Sequence, residues 1–289
     1  MIGERVRHTA VELPGLPTLP EVVTQIVHVS GSERTSAAML GALIETDHAV
    51  TTRVLRLANS SFYRRARRIS SVRQAVVILG FETIRMLALS VSAFDAISSL
   101  KQSSMDMHDF WMHSFGAAAC VRTLQQRLRV RDDEALCFTG ALLHDVGKCI
   151  MAAAYGEAYG GVLATALRTG RKVRAVEYEQ FGTHHGEVAS WVCRRWNLPD
   201  SLASIPRLAA EGRDRTGPFA REVRTVVLAD QLSRLVGFGS GGDPREAELD
   251  DRLMEAVGIS PQALRGLLPD LSAKRDDVAR TLQAWKAQA

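Results

Sequence analysis

No CxxC pair occurs among the four cysteines of this 289-residue chain, which removes the usual signature of a zinc ribbon or a redox dithiol. Cys120, Cys137, Cys149 and Cys193 each lie in an apolar helical context and read as reduced core thiols of a cytosolic protein. Aromatic residues make up 6% of the chain, and no convincing alternation of apolar and polar residues is present, so sheet is disfavoured. No run of about 18 apolar residues exists, so no membrane span or membrane partner is expected. The N-terminus, Met1-Ile2-Gly3-Glu4-Arg5-Val6-Arg7, has no apolar core behind it and is not read as a signal peptide. A net charge of +4 is too small to argue for nucleic-acid binding. The expected location is the cytoplasm.

What is there is helix. Apolar residues make up 46% of the chain, and Ala, Leu and Val dominate them. Leu19, Val22, Val23, Ile26 and Val27 form one stripe behind Pro20, which suits a first turn. Asp47 can cap a helix carrying Val50, Val54 and Leu55, and Ser71 another carrying Val72, Ala75 and Val76, with Gly80 as its stop. The polar stretch Lys101–Ser104 reads as a hinge. Beyond it the periodicity predicts a long helix through His113 and Val121, one from about Asp132 into His144, and others over 157–169, 173–181, 185–196, 200–210 and 219–236. Gly237–Pro244 reads as a flexible linker, followed by short helices. The expected architecture is all-α: a helical lobe over 13–100, a second over 101–236 and a helical extension over 245–289.

The chemistry concentrates in Leu142-Leu143-His144-Asp145-Val146-Gly147-Lys148. A carboxylate in an apolar run needs a partner or a metal, and imidazole with carboxylate suits a divalent ion. Adjacent residues point about 100° apart on a helix, so His144 and Asp145 share an ion only near a helix end, where Gly147 can relax the backbone. His113 and Asp230 sit on apolar-faced helices and can join them from a bundle interior.

The order His113, His144-Asp145, Asp230 resembles the metal signature of the HD phosphohydrolase superfamily, and one branch, the HDOD domain, is more similar still. The resemblance covers roughly residues 13–235. It is carried by Leu16-Pro17-Thr18-Leu19-Pro20, by the run from Asp47 to Ser60, by Ile69–Ala75 and Leu79-Gly80, and by Trp111 with His113. Gly140–Lys148, Phe181–His185 and Trp196-Asn197-Leu198-Pro199 complete it. It implies an all-helical bacterial signal-transduction output module, its second lobe HD-like, that works through contacts with signalling proteins.

The same resemblance implies ligands. His113, His144, Asp145 and Asp230 would hold one divalent ion (Mg, Mn, Fe or Zn), with His185 as a further ligand or support. Lys148 would then hold a phosphate oxygen of a phosphate-bearing small ligand; otherwise it is a cation at a helix C-terminus. Catalytic relatives carry a His-His pair about ten residues after the Leu-Pro, and here Ala209-Ala210 stand there. A two-metal clamp would lack ligands, so the expected module is non-catalytic; the alternative is a one-metal phosphohydrolase. Arg64, Arg65, Arg67 and Arg68 read as a solvated loop or as a dock for an acidic partner. Nucleic acid is not expected there, since Tyr63 is the only interleaved aromatic. His184, His28, His48 and His108 read as surface or interfacial histidines.

Overall fold

The computed structural model describes residues 16, 18–29, 36–60, 62–63, 68–102, 104–128, 132–211, 217–244 and 249–286. Among these residues every regular element is a helix. The first five are α1 (Glu21–Val29), α2 (Ala37–Glu45), α3 (His48–Ala58), α4 (Val72–Leu79) and α5 (Phe81–Ser98). Side-chain caps set the starts of α2, α3 and α4. Ser36, Asp47 and Ser71 accept from the backbone N–H of Met39, Val50 and Gln74, satisfying donors that a helix N-terminus leaves free. Asn59, just past α3, fixes the two ends of the arginine loop. Its amide donates to Leu55 O and Ile69 O, and its Oδ1 accepts from Ile69 N.

After α5 come α6 (Met107–Leu128), α7 (Glu134–Leu143), α8 (Val146–Tyr155), α9 (Glu157–Thr169), α10 (Val173–Phe181), α11 (His185–Arg195), α12 (Asp200–Glu211) and α13 (Ala220–Leu235). α6 is buried on every side from Phe110 to Gln125, as a helix apolar all round should be. It packs on α13 and α7; α11 packs on α8 and α12. The stretch Glu134–Tyr155 is long and apolar enough to cross a membrane by composition, and its most apolar 18-residue window is buried inside the protein.

The apolar core runs on past Lys101 and Gln102. Ser90 of α5 hydrogen-bonds Thr139 of α7 at 3.0 Å, and Arg122 of α6 donates to Phe62 O at 3.1 Å. The chain closes with α14 (Asp251–Val257), α15 (Pro261–Ser272) and α16 (Arg275–Lys286). The Trp285 ring of α16 lies tilted 4.9 Å from Phe94 of α5 and edge-on 5.0 Å from Phe115 of α6. The extension is therefore built into the aromatic core, although its periodicity in sequence is weak.

Candidate metal centre

The His-Asp pair sits at a break between two helices. α7 ends at Leu143 and α8 begins at Val146; Asp145 between them has φ −107° and ψ 2°. That bridge conformation brings Asp145 Oδ2 to 3.4 Å from His144 Nε2. The break falls at Asp145 itself and not at Gly147. Gly147 serves a different end: a Cβ there would lie 1.9 Å from the carbonyl oxygen of His185, so its lack of a side chain lets α8 and α11 touch.

Three side chains from three helices converge. His113 Nε2 is 3.4 Å from His144 Nε2 and 3.0 Å from Asp230 Oδ1, and His144 Nε2 is 3.6 Å from the same oxygen. Asp145 Oδ2 completes the group, 3.8 Å from His113 Nε2. Ligands bound at about 2.1 Å around one tetrahedral ion lie about 3.4 Å apart, and these spacings bracket that value. Asp230 Oδ1 is buried with only the imidazole nitrogens of His113 and His144 beside it and no geometrically sound hydrogen bond, an arrangement that a cation between the three groups would relieve. His144 donates from Nδ1 to Ala141 O at 2.8 Å, which turns the lone pair of Nε2 toward the centre. The donor set fits one divalent ion.

The surrounding residues hold this geometry. Burial opposes the charge on Asp230, but Arg234, His113 and His144 overcome it and keep the carboxyl well below its ordinary range. Burial likewise opposes ionisation of Asp145, and His144 and Lys148 outweigh it. His185 donates from Nδ1 to Glu177 Oε2 at 2.7 Å and sets Nε2 3.3 Å from Asp145 Oδ1. Glu177 in turn accepts from the Tyr159 hydroxyl at 2.6 Å. Burial works against a charged His185 ring, yet Glu177 and Asp145 raise its pKa to about 9.

Two expectations meet a different arrangement. Lys148 is fully buried, and its ammonium is shared by Asp145 Oδ2 at 2.7 Å, Asp243 Oδ2 at 2.6 Å and Gly241 O at 3.1 Å. All three donors are engaged within the protein, so none is offered to a phosphate. The stretch expected to be a flexible linker folds over the centre. Asp109 of α6 accepts from Ser240 N, Ser240 Oγ and Gly241 N, and Asp243 accepts from Val173 N at 2.9 Å. Gly241, at φ +58°, passes so close to His113 that a Cβ would lie 2.7 Å from the imidazole Cδ2. Glycine is there for close approach, not for looseness.

A cavity of about 250 Å³ opens beside the centre, lined by His144, Asp145, His185, Asp230 and, from α12, Ala209 and Ala210. Lys172, Arg174 and Arg224 also line it. His184 is not on the surface but 6% exposed, whereas His28, His48 and His108 are exposed. In the arginine loop Arg68 is exposed; Arg64, Arg65 and Arg67 lie outside the described residues.

The sequence reading missed Glu177, Asp243 and Arg234. Arg234 had a legible signal, standing one helical turn after Asp230, to which it donates at 2.8 Å. Glu177 and Asp243 had none, because their partners are set by tertiary packing.

The family model for the HDOD domain matches residues 16–210, well over half of the chain. The chain belongs to the HDOD family. Asp230, Arg234 and Asp243 lie beyond the matched segment, so α13 and the loop after it complete a centre that the matched helices begin. An HDOD domain protein of unknown function from Geobacter sulfurreducens superposes with a TM-score of 0.74 at 23% identity, over 95% of this chain and 99% of that one. A proposed signal-transduction protein from Marinobacter aquaeolei gives a TM-score of 0.77 at 20% identity, over 98% of this chain and 66% of that one. A proposed phosphohydrolase from Shewanella amazonensis gives 0.71 at 21%, over 95% and 97%. These likenesses establish the HDOD fold. An uncharacterized protein of Treponema pallidum is 23% identical over 236 residues, which are 80% of this chain and 44% of that protein. This chain thus spans less than half the length of that relative.

Proposed function

We propose that this HDOD protein is a cytoplasmic signalling module that binds a divalent ion and a phosphate-bearing ligand without turning the ligand over. It passes the bound state to a signalling protein. The observation that carries the reading is the wall of the cavity. Ala209 and Ala210 line it together with His185, and methyl groups supply no lone pairs for a second ion in that place.

His113, His144, Asp145 and Asp230 would hold the first ion, which when bound supplies a Lewis acid for a phosphoryl oxygen. Arg174 is half-buried and Lys172 exposed at the cavity; these side chains, with Arg224, attract and orient an anion there. Lys148 and Arg234 balance the carboxylates from within. We expect metal analysis of protein purified without chelator to find an ion that Asp230→Asn removes. We also expect no appreciable hydrolysis of cyclic dinucleotides or simple phosphoesters. Robust turnover that vanishes in Asp145→Ala would overturn this reading and establish the one-metal phosphohydrolase, which the basic cavity mouth also favours.

The partner surface we assign is the arginine loop held between Asn59 and Ile69. A cationic loop steers an acidic partner, and the effect fades with salt. Replacing Arg64, Arg65, Arg67 and Arg68 by Ser should leave the fold intact and weaken capture of the partner most at low ionic strength. Equal capture at both high and low salt would remove the loop from this role.

A further inference from the structure

A second group of ligand-bearing side chains stands apart from the His113–His144–Asp230 centre. His184 lies just before α11, Glu187 lies in its first turn, and Glu211 ends α12. A ring nitrogen of His184 and one carboxylate oxygen from each glutamate lie within 4.8 Å of one another. His184 is 6% exposed, and its Nδ1 is buried without a hydrogen-bond partner. A buried imidazole nitrogen without a hydrogen-bond partner, on a ring set beside two carboxylates, is unfavourable as it stands.

We propose that His184, Glu187 and Glu211 form a second divalent-cation site, independent of the first centre. One imidazole and two carboxylates suit a borderline ion such as Zn²⁺. Thr183 Oγ1 donates to Glu187 and orients it. Arg207 reaches Glu211 at 3.2 and 3.3 Å, longer than the roughly 2.7–2.9 Å of a strong charge-assisted bond. Arg174 is engaged with Ala210 O. Closing the three ligands onto an ion requires rotation of the two half-buried glutamates, which are flexible side chains at helix ends.

The placement gives the site a use. Glu211 also lines the cavity beside Ala209 and Ala210. An ion held here would stand at the edge of that cavity, through Glu211, and not in the place of the missing histidine pair. It would add a second positive charge for an anion in the cavity.

The test is equilibrium dialysis of the full chain against Zn²⁺, with stoichiometry read on wild type and on three variants. The expected result is two ions on wild type and one on each of Glu211→Gln, His184→Asn and Asp230→Asn. Thermal melts check folding, and Glu211→Gln, at a half-buried helix end, remains informative if His184→Asn unfolds. If Glu211→Gln and His184→Asn hold as much zinc as wild type, the second site does not exist. If Asp230→Asn alone abolishes all binding, the second site falls and the first centre stands. If Asp230→Asn changes nothing while Glu211→Gln abolishes binding, the second site stands and the first is refuted.

Discussion

Lys148 is a cation with no access to solvent, matched by carboxylates from two distant parts of the chain. Removing one partner leaves a buried charge short of compensation. Asp145→Ala should therefore destabilise the metal-free protein by about 3 kcal/mol, the lower end for such a loss because Asp243 remains. A thermal melt in chelator reads this, and an unchanged Tm would mean that Lys148 is satisfied without Asp145. His113, His144, Asp145 and Asp230 were legible in the sequence because polar residues interrupting apolar helical stripes need a buried partner. The role of Lys148 was not legible. Nothing near it in sequence announces Asp243, which lies almost a hundred residues away and meets it only because Gly237–Asp243 folds back onto α6.

At the scale of elements, the site depends on how closely helices approach. α8 and α11 touch at Gly147, where there is no room for a methyl group. Gly147→Ala should force the helices apart, costing at least about 1–3 kcal/mol as overpacking does, and should weaken ion binding by displacing His185 from Asp145. Gly161→Ala, in α9 with nothing within 4 Å of its added Cβ, should be neutral or stabilising by up to about 1 kcal/mol. Comparing melting temperatures and metal content of the two variants separates a packing requirement from a general intolerance of alanine. The helices of the second half were readable almost to the residue, because caps and periodicity are local signals. The sequence ends a helix in the His-Asp motif, but it offers Gly147 as the residue that relaxes the backbone, glycine being the obvious candidate, where Asp145 takes the break conformation. The glycine run after α13 was misread as a linker, because composition reports permissiveness and not contact.

At the scale of the molecule, the buried network makes stability depend on pH in both directions. His185 titrates near 9 in the fold against an ordinary value of 6.5. Its contribution is therefore complete below about 6.5 and is lost as pH rises through about 9. Glu177, Asp145, Asp230 and Asp243 are held below their ordinary values, so their contributions are present at neutrality and are lost as pH falls through the folded values. The metal-free protein should show a Tm that declines on both sides of neutrality, and Glu177→Gln should flatten the alkaline limb. An alkaline limb unchanged in Glu177→Gln would show that the His185–Glu177 pair does not set it. The all-helical fold was legible because amphipathic periodicity specifies it; the seat of Trp285 against Phe94 and Phe115 was not, because one aromatic in a weakly patterned helix carries no address.

The loop that brings Asp243 over the centre also fixes its charge balance. Metal-ligating imidazoles are neutral; in that ion-binding form the carboxylates of Asp145, Asp230, Asp243 and Glu177, set against Lys148, Arg234 and a protonated His185, leave the ligand set one negative charge in excess. A divalent ion reverses that excess to one positive charge, which an anion in the cavity would then cancel. Ion and anion each create the condition that favours the other, and linkage makes their mutual enhancement equal in both directions. On the function proposed above, the protein would act as a coincidence detector, responding fully only when metal and anion are present together.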